Sequence, residues 1–147
     1  MKKLLCITLM VISAGYASGQ NRPGFELWKI FARVGFEPKY SEEVQGFYYF
    51  PIFQEEIKAI NGKEVKIAGH FLPVELEGAS FIISRNPYRS CFFCGNAGPE
   101  SVAEVIPKSK TRSIKPDEVV TIKGILVLNK NDVDHLNFII KDAELVE

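Results

Sequence analysis

Cys91 and Cys94 stand two residues apart in Cys-Phe-Phe-Cys-Gly, and they are the clearest local chemistry in the chain. Thiols at that spacing can hold one metal ion together or close into a short disulfide, and spacing alone does not choose between the two. Soft sulfur with an imidazole suits zinc or copper, and a closed four-coordinate site needs further ligands. Besides carboxylates, the chain offers two histidines, His70 and His135. His70 falls on the less apolar face of a strand whose end the cysteine loop can approach, so Cys91, Cys94 and His70 form the candidate metal set. His135 follows the polar stretch from Asn129 to Asp134 and reads as a solvated loop residue. The third reading of the pair, a redox dithiol, ranks last. Thiol-exchange motifs sit at a helix N-terminus that lowers the thiol pKa, whereas glycine and proline follow this pair and Phe92 and Phe93 shield the sulfurs.

Other catalytic patterns are missing. No serine, histidine and acid set stands out, nor a phosphate-cradling glycine loop, nor an HExxH zinc pattern, so no catalytic or organic cofactor residue is assigned. The stretch from Asn129 to Asp134 has the Asn and Asp density of a calcium loop. It lacks the central glycine and terminal glutamate of one and reads as a polar turn.

The cysteines lie in a segment from Asn86 to Glu100 that is dense in turn formers, hence a loop that flanking strands must hold. Val65, Ile67, Gly69 and Phe71 alternate with more polar residues until Pro73, which predicts a first strand. Ala79, Phe81 and Ile83 predict a second, and residues 102–106, 119–128 and 136–146 three more. Gly69 and Gly124, inside strands, mark bulges or corner bends. Five strands, two of them long and bent, predict a mainly β fold, a small five-stranded Greek-key barrel of the OB type, with a β-sandwich as the alternative. Short helices precede it. Phe25, Trp28, Phe31 and Ala32 recur at helical spacing, and a second helix is expected to start at Pro51 and end at Asn61-Gly62. The aromatic cluster from Phe47 to Phe50 is expected to pack this front segment onto the barrel rather than to serve as a binding platform.

The first residues carry an export signal. Lys2 and Lys3 precede an almost unbroken apolar run from Leu4 to Ile12, and Ala17, Ser18 and Gly19 place small side chains where a signal peptidase cuts. That run is short of the roughly 20 apolar residues a membrane span needs. Cys6 sits too early in the run, without small residues before it, to be a lipid-anchor cysteine. The expected organisation is a signal at residues 1–19, a helical and aromatic extension at 20–50, and a barrel domain at 51–147, with no integral membrane segment after cleavage. Lys and Arg together number 18, as do Asp and Glu, so no global basic field exists to draw nucleic acid or anionic lipid.

The run from Pro51 to Lys63, the strand end Gly69-His70-Phe71-Leu72-Pro73, the cysteine loop and the strand from Val120 to Gly124 resemble a family of bacterial exported proteins classed as a domain of unknown function. That family's pattern is Gly-Lys-x-Val, Gly-x-x-x-Pro and a cysteine loop with prolines, and the resemblance covers residues 50–147. Where the family carries Cys-x-His before several prolines, this chain has Phe93 at the middle position and then Cys94. If cysteine and histidine are ligands in the family, Cys94 can stand in for that histidine. The resemblance implies an accessory role beside envelope transport systems, some linked to metal supply. The expected function is therefore a periplasmic or secreted, non-enzymatic binding protein with an envelope protein as partner and zinc or copper held by the cysteine loop. An exported thiol–disulfide redox protein and an interaction domain pinned by a structural disulfide are the alternatives.

Overall fold

The computed structural model describes residues 24–74, 76 and 78–146. The expected export signal at residues 1–19, with its expected cut after Gly19, lies outside them.

The expected strands pair around one closed barrel. They are β3 (Glu64–Leu72), β4 (Phe81–Ser84), β5 (Val102–Pro107), β6 (Val119–Leu128) and β7 (Phe138–Val146), in the order β3-β4-β5-β7-β6 and back to β3. Every pairing is antiparallel except that of β5 with β7. A single parallel pair between the third and fifth barrel strands is the arrangement of a small OB-like barrel. The bend expected at Gly124 is real: the register of β6 on β7 shifts between Lys123 and Ile125. A Cβ at Gly124 would sit 2.6 Å from the Lys141 carbonyl oxygen, so only glycine lets the two backbones come this close.

Alternation along each strand divides its side chains between two faces. Ile67, Phe81, Ile83, Ala103, Val105, Ile122 and Phe138 point into the main core, while Leu72, Ile82 and Val102 on the opposite pleat form a second, smaller core with Cys91. The cysteine loop thus folds over the outside of β3, β4 and β5.

The front segment covers the part of β3 that β4 leaves unpaired. Helix α1 (Leu27–Phe31) is five residues long, too short to persist alone, and it is held by the burial of Leu27, Trp28 and Phe31 in the main core. Strand β4 covers β3 only from His70 to Leu72, which leaves the preceding edge of β3 open. Gly24 and Trp28 fill that gap, the Ala68 N–H donating to the Gly24 carbonyl at 2.8 Å and the Trp28 Nε1–H donating to the Ala68 carbonyl at 2.7 Å. Both backbone groups of Ala68 are thereby satisfied.

Between α1 and the barrel the structure departs from expectation. Residues 35–52 form a β-hairpin of β1 (Gly35–Ser41) and β2 (Gly46–Ile52), in register from Gly35 opposite Ile52 to Ser41 opposite Gly46. Pro51 lies in β2 and not in a first helical turn; helix α2 (Glu55–Lys58) begins after Gln54. Pro38 and Pro51 are tolerated because each strand of a two-stranded sheet is an edge strand. The aromatic cluster packs only in part: Phe47 is 77% exposed and Tyr49 54%. Among the described residues no helix is long and apolar enough to cross a membrane.

Candidate functional site

The loop between β4 and β5 is built from three single turns of 3₁₀ helix, at Tyr88–Ser90, Phe92–Cys94 and Pro99–Ser101. Cys91 lies extended between the first two. Its carbonyl accepts the N–H of Cys94 at 3.2 Å, and Gly95, at φ +74°, closes the turn with its N–H on the Phe92 carbonyl. The backbone curls so tightly that the sulfurs lie 3.6 Å apart, both as free thiols. Their surroundings differ. Cys91 is fully buried among Leu72, Ile82 and Val102, whereas Cys94 is exposed and donates to the Tyr88 carbonyl at 3.1 Å. The hydrogen bond with Cys91 is the main cause holding the Cys94 thiol above its ordinary range. A raised pKa keeps the exposed sulfur protonated, opposite to what thiol exchange needs.

His70 lies close to the start of this loop but bonds elsewhere. Its Nδ1 is 3.3 Å from the Asp117 carbonyl oxygen, and the Asp117 carboxylate accepts the Tyr88 N–H at 2.6 Å. Asp117 therefore links the histidine to the first turn of the loop. Among the described residues no group of three or more His, Cys, Asp or Glu is gathered to hold a metal ion. Of the three expected ligands, Cys91 and Cys94 are brought together and His70 bonds to Asp117 instead.

The second histidine has a stronger partner than its loop position suggested. His135 Nδ1 lies 2.9 and 3.1 Å from the two carboxylate oxygens of Glu104, and the Leu136 N–H donates to the same carboxylate at 3.2 Å. Glu104 is almost fully buried although it stands on the outer face of β5, because the cysteine loop and the β6–β7 loop cover it. The β6–β7 loop is itself a tied polar turn: the Asn129 side-chain amide donates to the carbonyls of Asp132, His135 and Leu136. Within this stretch of calcium-loop composition, the Asn129 and Asp132 side chains thus bond to the loop's own backbone.

A cleft of about 210 Å³ opens where these parts meet. Phe92 and Pro99 of the cysteine loop, Val102 and Glu104 of β5, Val133 to Asn137 of the β6–β7 loop, and Leu76 before β4 form its barrel side. Phe47, Tyr48 and Tyr49 of β2 form the other. Burial pushes the Tyr48 phenol up, partly offset by the neighbouring Asn137 side chain. Sequence reasoning missed Glu104. The signal was one acid inside the apolar run from Val102 to Ile106, where a solvated face would show alternation. No protein-family model matches the chain, and no curated protein matches it.

Proposed function

We propose that the chain is an exported, non-enzymatic binding protein of the cell envelope whose ligand face is the outer surface of β5, between the aromatic hairpin and the cysteine loop. The observation that carries this reading is the position of the cleft. OB-type barrels take their ligands on the outer face of the second and third strands, framed by the loops between strands one and two and between strands four and five. Here the third barrel strand is β5, and Leu76 and residues 133–137 belong to those two loops. Nucleic acid, a common ligand of such barrels, is disfavoured by Glu104 and Asp134 in the lining, which would repel phosphates. A protein partner suits the mixed aromatic and acidic surface better.

The test uses the whole chain, expressed with its own leader and purified from the exported fraction, as bait for a displayed random-peptide library. Selected peptides should lose at least about tenfold in affinity on Tyr49→Ser, the size of effect expected for a peripheral aromatic anchor. Tyr49 is too exposed for that change to unfold the protein. Peptides indifferent to Tyr49→Ser, or a product retained in the cytoplasm with Met1 in place, would overturn the corresponding half of the proposal.

The sulfur separation favours a second reading, in which the cysteine loop also holds zinc or copper. Two thiolates on a tetrahedral zinc, each bonded at about 2.3 Å, lie roughly 3.8 Å apart, close to the 3.6 Å seen here. His70 would have to leave Asp117 to become a third ligand; otherwise the remaining ligands come from solvent or partner. On this reading, one equivalent of zinc raises the unfolding midpoint of the reduced protein, and either Cys91→Ser or Cys94→Ser removes the rise. Without metal the two variants should differ: Cys91→Ser buries a hydroxyl and costs about 1–3 kcal/mol, while exposed Cys94→Ser stays within about 0.5 kcal/mol of the parent. A midpoint unmoved by zinc would leave the pair as a pin for the loop.

A further inference from the structure

We propose, resting on the binding reading above, that the cleft's occupant is an extended peptide segment that pairs with the free edge of β2 and sends an arginine side chain in toward Glu104.

Charge and shape argue for the side chain. Glu104 and Asp134 line the cleft with the rings of Phe47, Tyr48, Tyr49 and Phe92, and neither lysine nor arginine is in the lining. Aromatic faces and carboxylates attract the same ligand, a cation with a flat or apolar body. The volume, about 210 Å³, is below the roughly 300–1,000 Å³ of small-molecule sites, so it suits one inserted side chain. Glu104 has capacity left. A carboxylate offers about four lone-pair sites, and here the donors are the His135 ring and the Leu136 N–H. A guanidinium can stack on a ring and fork onto a carboxylate at once, whereas a lysine ammonium is strongly hydrated and a quaternary ammonium cannot hydrogen-bond at all. A purely apolar side chain would further desolvate Glu104 without compensating it.

The backbone argues for the strand. Phe47, Tyr48 and Tyr49 are consecutive, and side chains of consecutive strand residues point to opposite faces, yet all three line one cleft. Residues from both faces of β2 thus border the cleft, as they do where a strand turns its edge to a groove. Among the described residues β2 pairs only with β1, which leaves that edge open to a further strand. Cross-strand neighbours Tyr40 and Phe47, exposed 53% and 77%, extend the surface such a segment would cross.

Titration of the ¹⁵N-labelled chain with a capped Thr-Val-Arg-Val-Thr peptide tests both parts, with citrulline, lysine or leucine replacing the central arginine and N-acetylarginine amide as the side chain alone. The arginine peptide should shift the amides of residues 47–49, 104 and 136, and citrulline, its neutral isostere, should weaken binding by at least about tenfold, as charge-assisted bonds imply. Glu104→Gln should abolish the preference for arginine over citrulline. Asp134→Asn, at an exposed position that folding does not need, should reduce it. N-acetylarginine amide should bind much more weakly than the peptide if the strand pairs. Equal affinity for the citrulline peptide, shifts away from the cleft, or no binding by any member would overturn the inference. Tighter binding of the leucine peptide at the same amides would overturn the arginine while leaving the cleft as a ligand site; library peptides that ignore Tyr49→Ser would remove the site itself.

Discussion

Phe31→Ala costs the folded chain about 3–5 kcal/mol, read from urea denaturation of the exported protein. Phe31 is fully buried, stacks on Phe138 of β7 at 4.0 Å between ring centres with 6° between planes, and meets Trp28 edge-on at 5.5 Å. Phe53 approaches the same Phe138 ring from the hairpin side. The truncation therefore opens a cavity where helix, hairpin exit and barrel converge, and rigid strands around it cannot collapse to fill it. Against a total stability of about 5–15 kcal/mol, such a loss removes a large share of the margin that keeps the chain folded. The consequence reaches the cleft, because α1 leads directly into β1 and so anchors the hairpin that forms one wall. A cost below about 1 kcal/mol would mean that the front segment only lies against the barrel, and the hairpin could then swing away from β5 independently.

The barrel strands were legible because each is bounded by punctuation and alternates or runs apolar as its burial requires. Pro73 follows β3, Gly78 precedes β4, and Asn129 follows β6, and the observed strands lie within a few residues of those predicted. The hairpin was not. Strand β1, Gly-Phe-Glu-Pro-Lys-Tyr-Ser, is mostly exposed on both faces, so no apolar alternation betrays it. Its turn places Gln45, not glycine, at positive φ, which removes the usual hairpin signal. Beside it, Phe47 to Phe50 read as an aromatic cluster ahead of a helix because Pro51 also suits a first helical turn. At the site, the sulfur pair could be found from four consecutive residues. Glu104 and His135 are separated by 31 positions and meet only when β5 and β7 pair in parallel. The cleft itself draws on residues 47–49, 76, 92, 99, 102, 104 and 133–137, and no periodicity in the chain connects those segments.

His135→Leu should destabilise the protein by about 2–3 kcal/mol, less than the roughly 3–5 kcal/mol for breaking a fully buried pair, because the His135 side chain is 43% exposed while Glu104 is 4% exposed. The loss comes from Glu104, left buried with the Leu136 N–H as its remaining donor. Replacing both, Glu104→Leu with His135→Leu, should bring stability back to within about 1 kcal/mol of the parent, since an apolar pair in an apolar wall has no charge to desolvate. The shortfall is the Leu136 N–H, now without its acceptor. Thermal and urea unfolding of the two variants make the comparison, and arginine-peptide titration of the double variant completes it. Recovered stability with lost selectivity for arginine over citrulline would show that the outer face of β5 carries an acid for recognition, at a site where leucine would fold equally well. If the double variant stays as unstable as the single one, the carboxylate and imidazole brace the β6–β7 loop against β5, and the fold itself accounts for an acid at position 104.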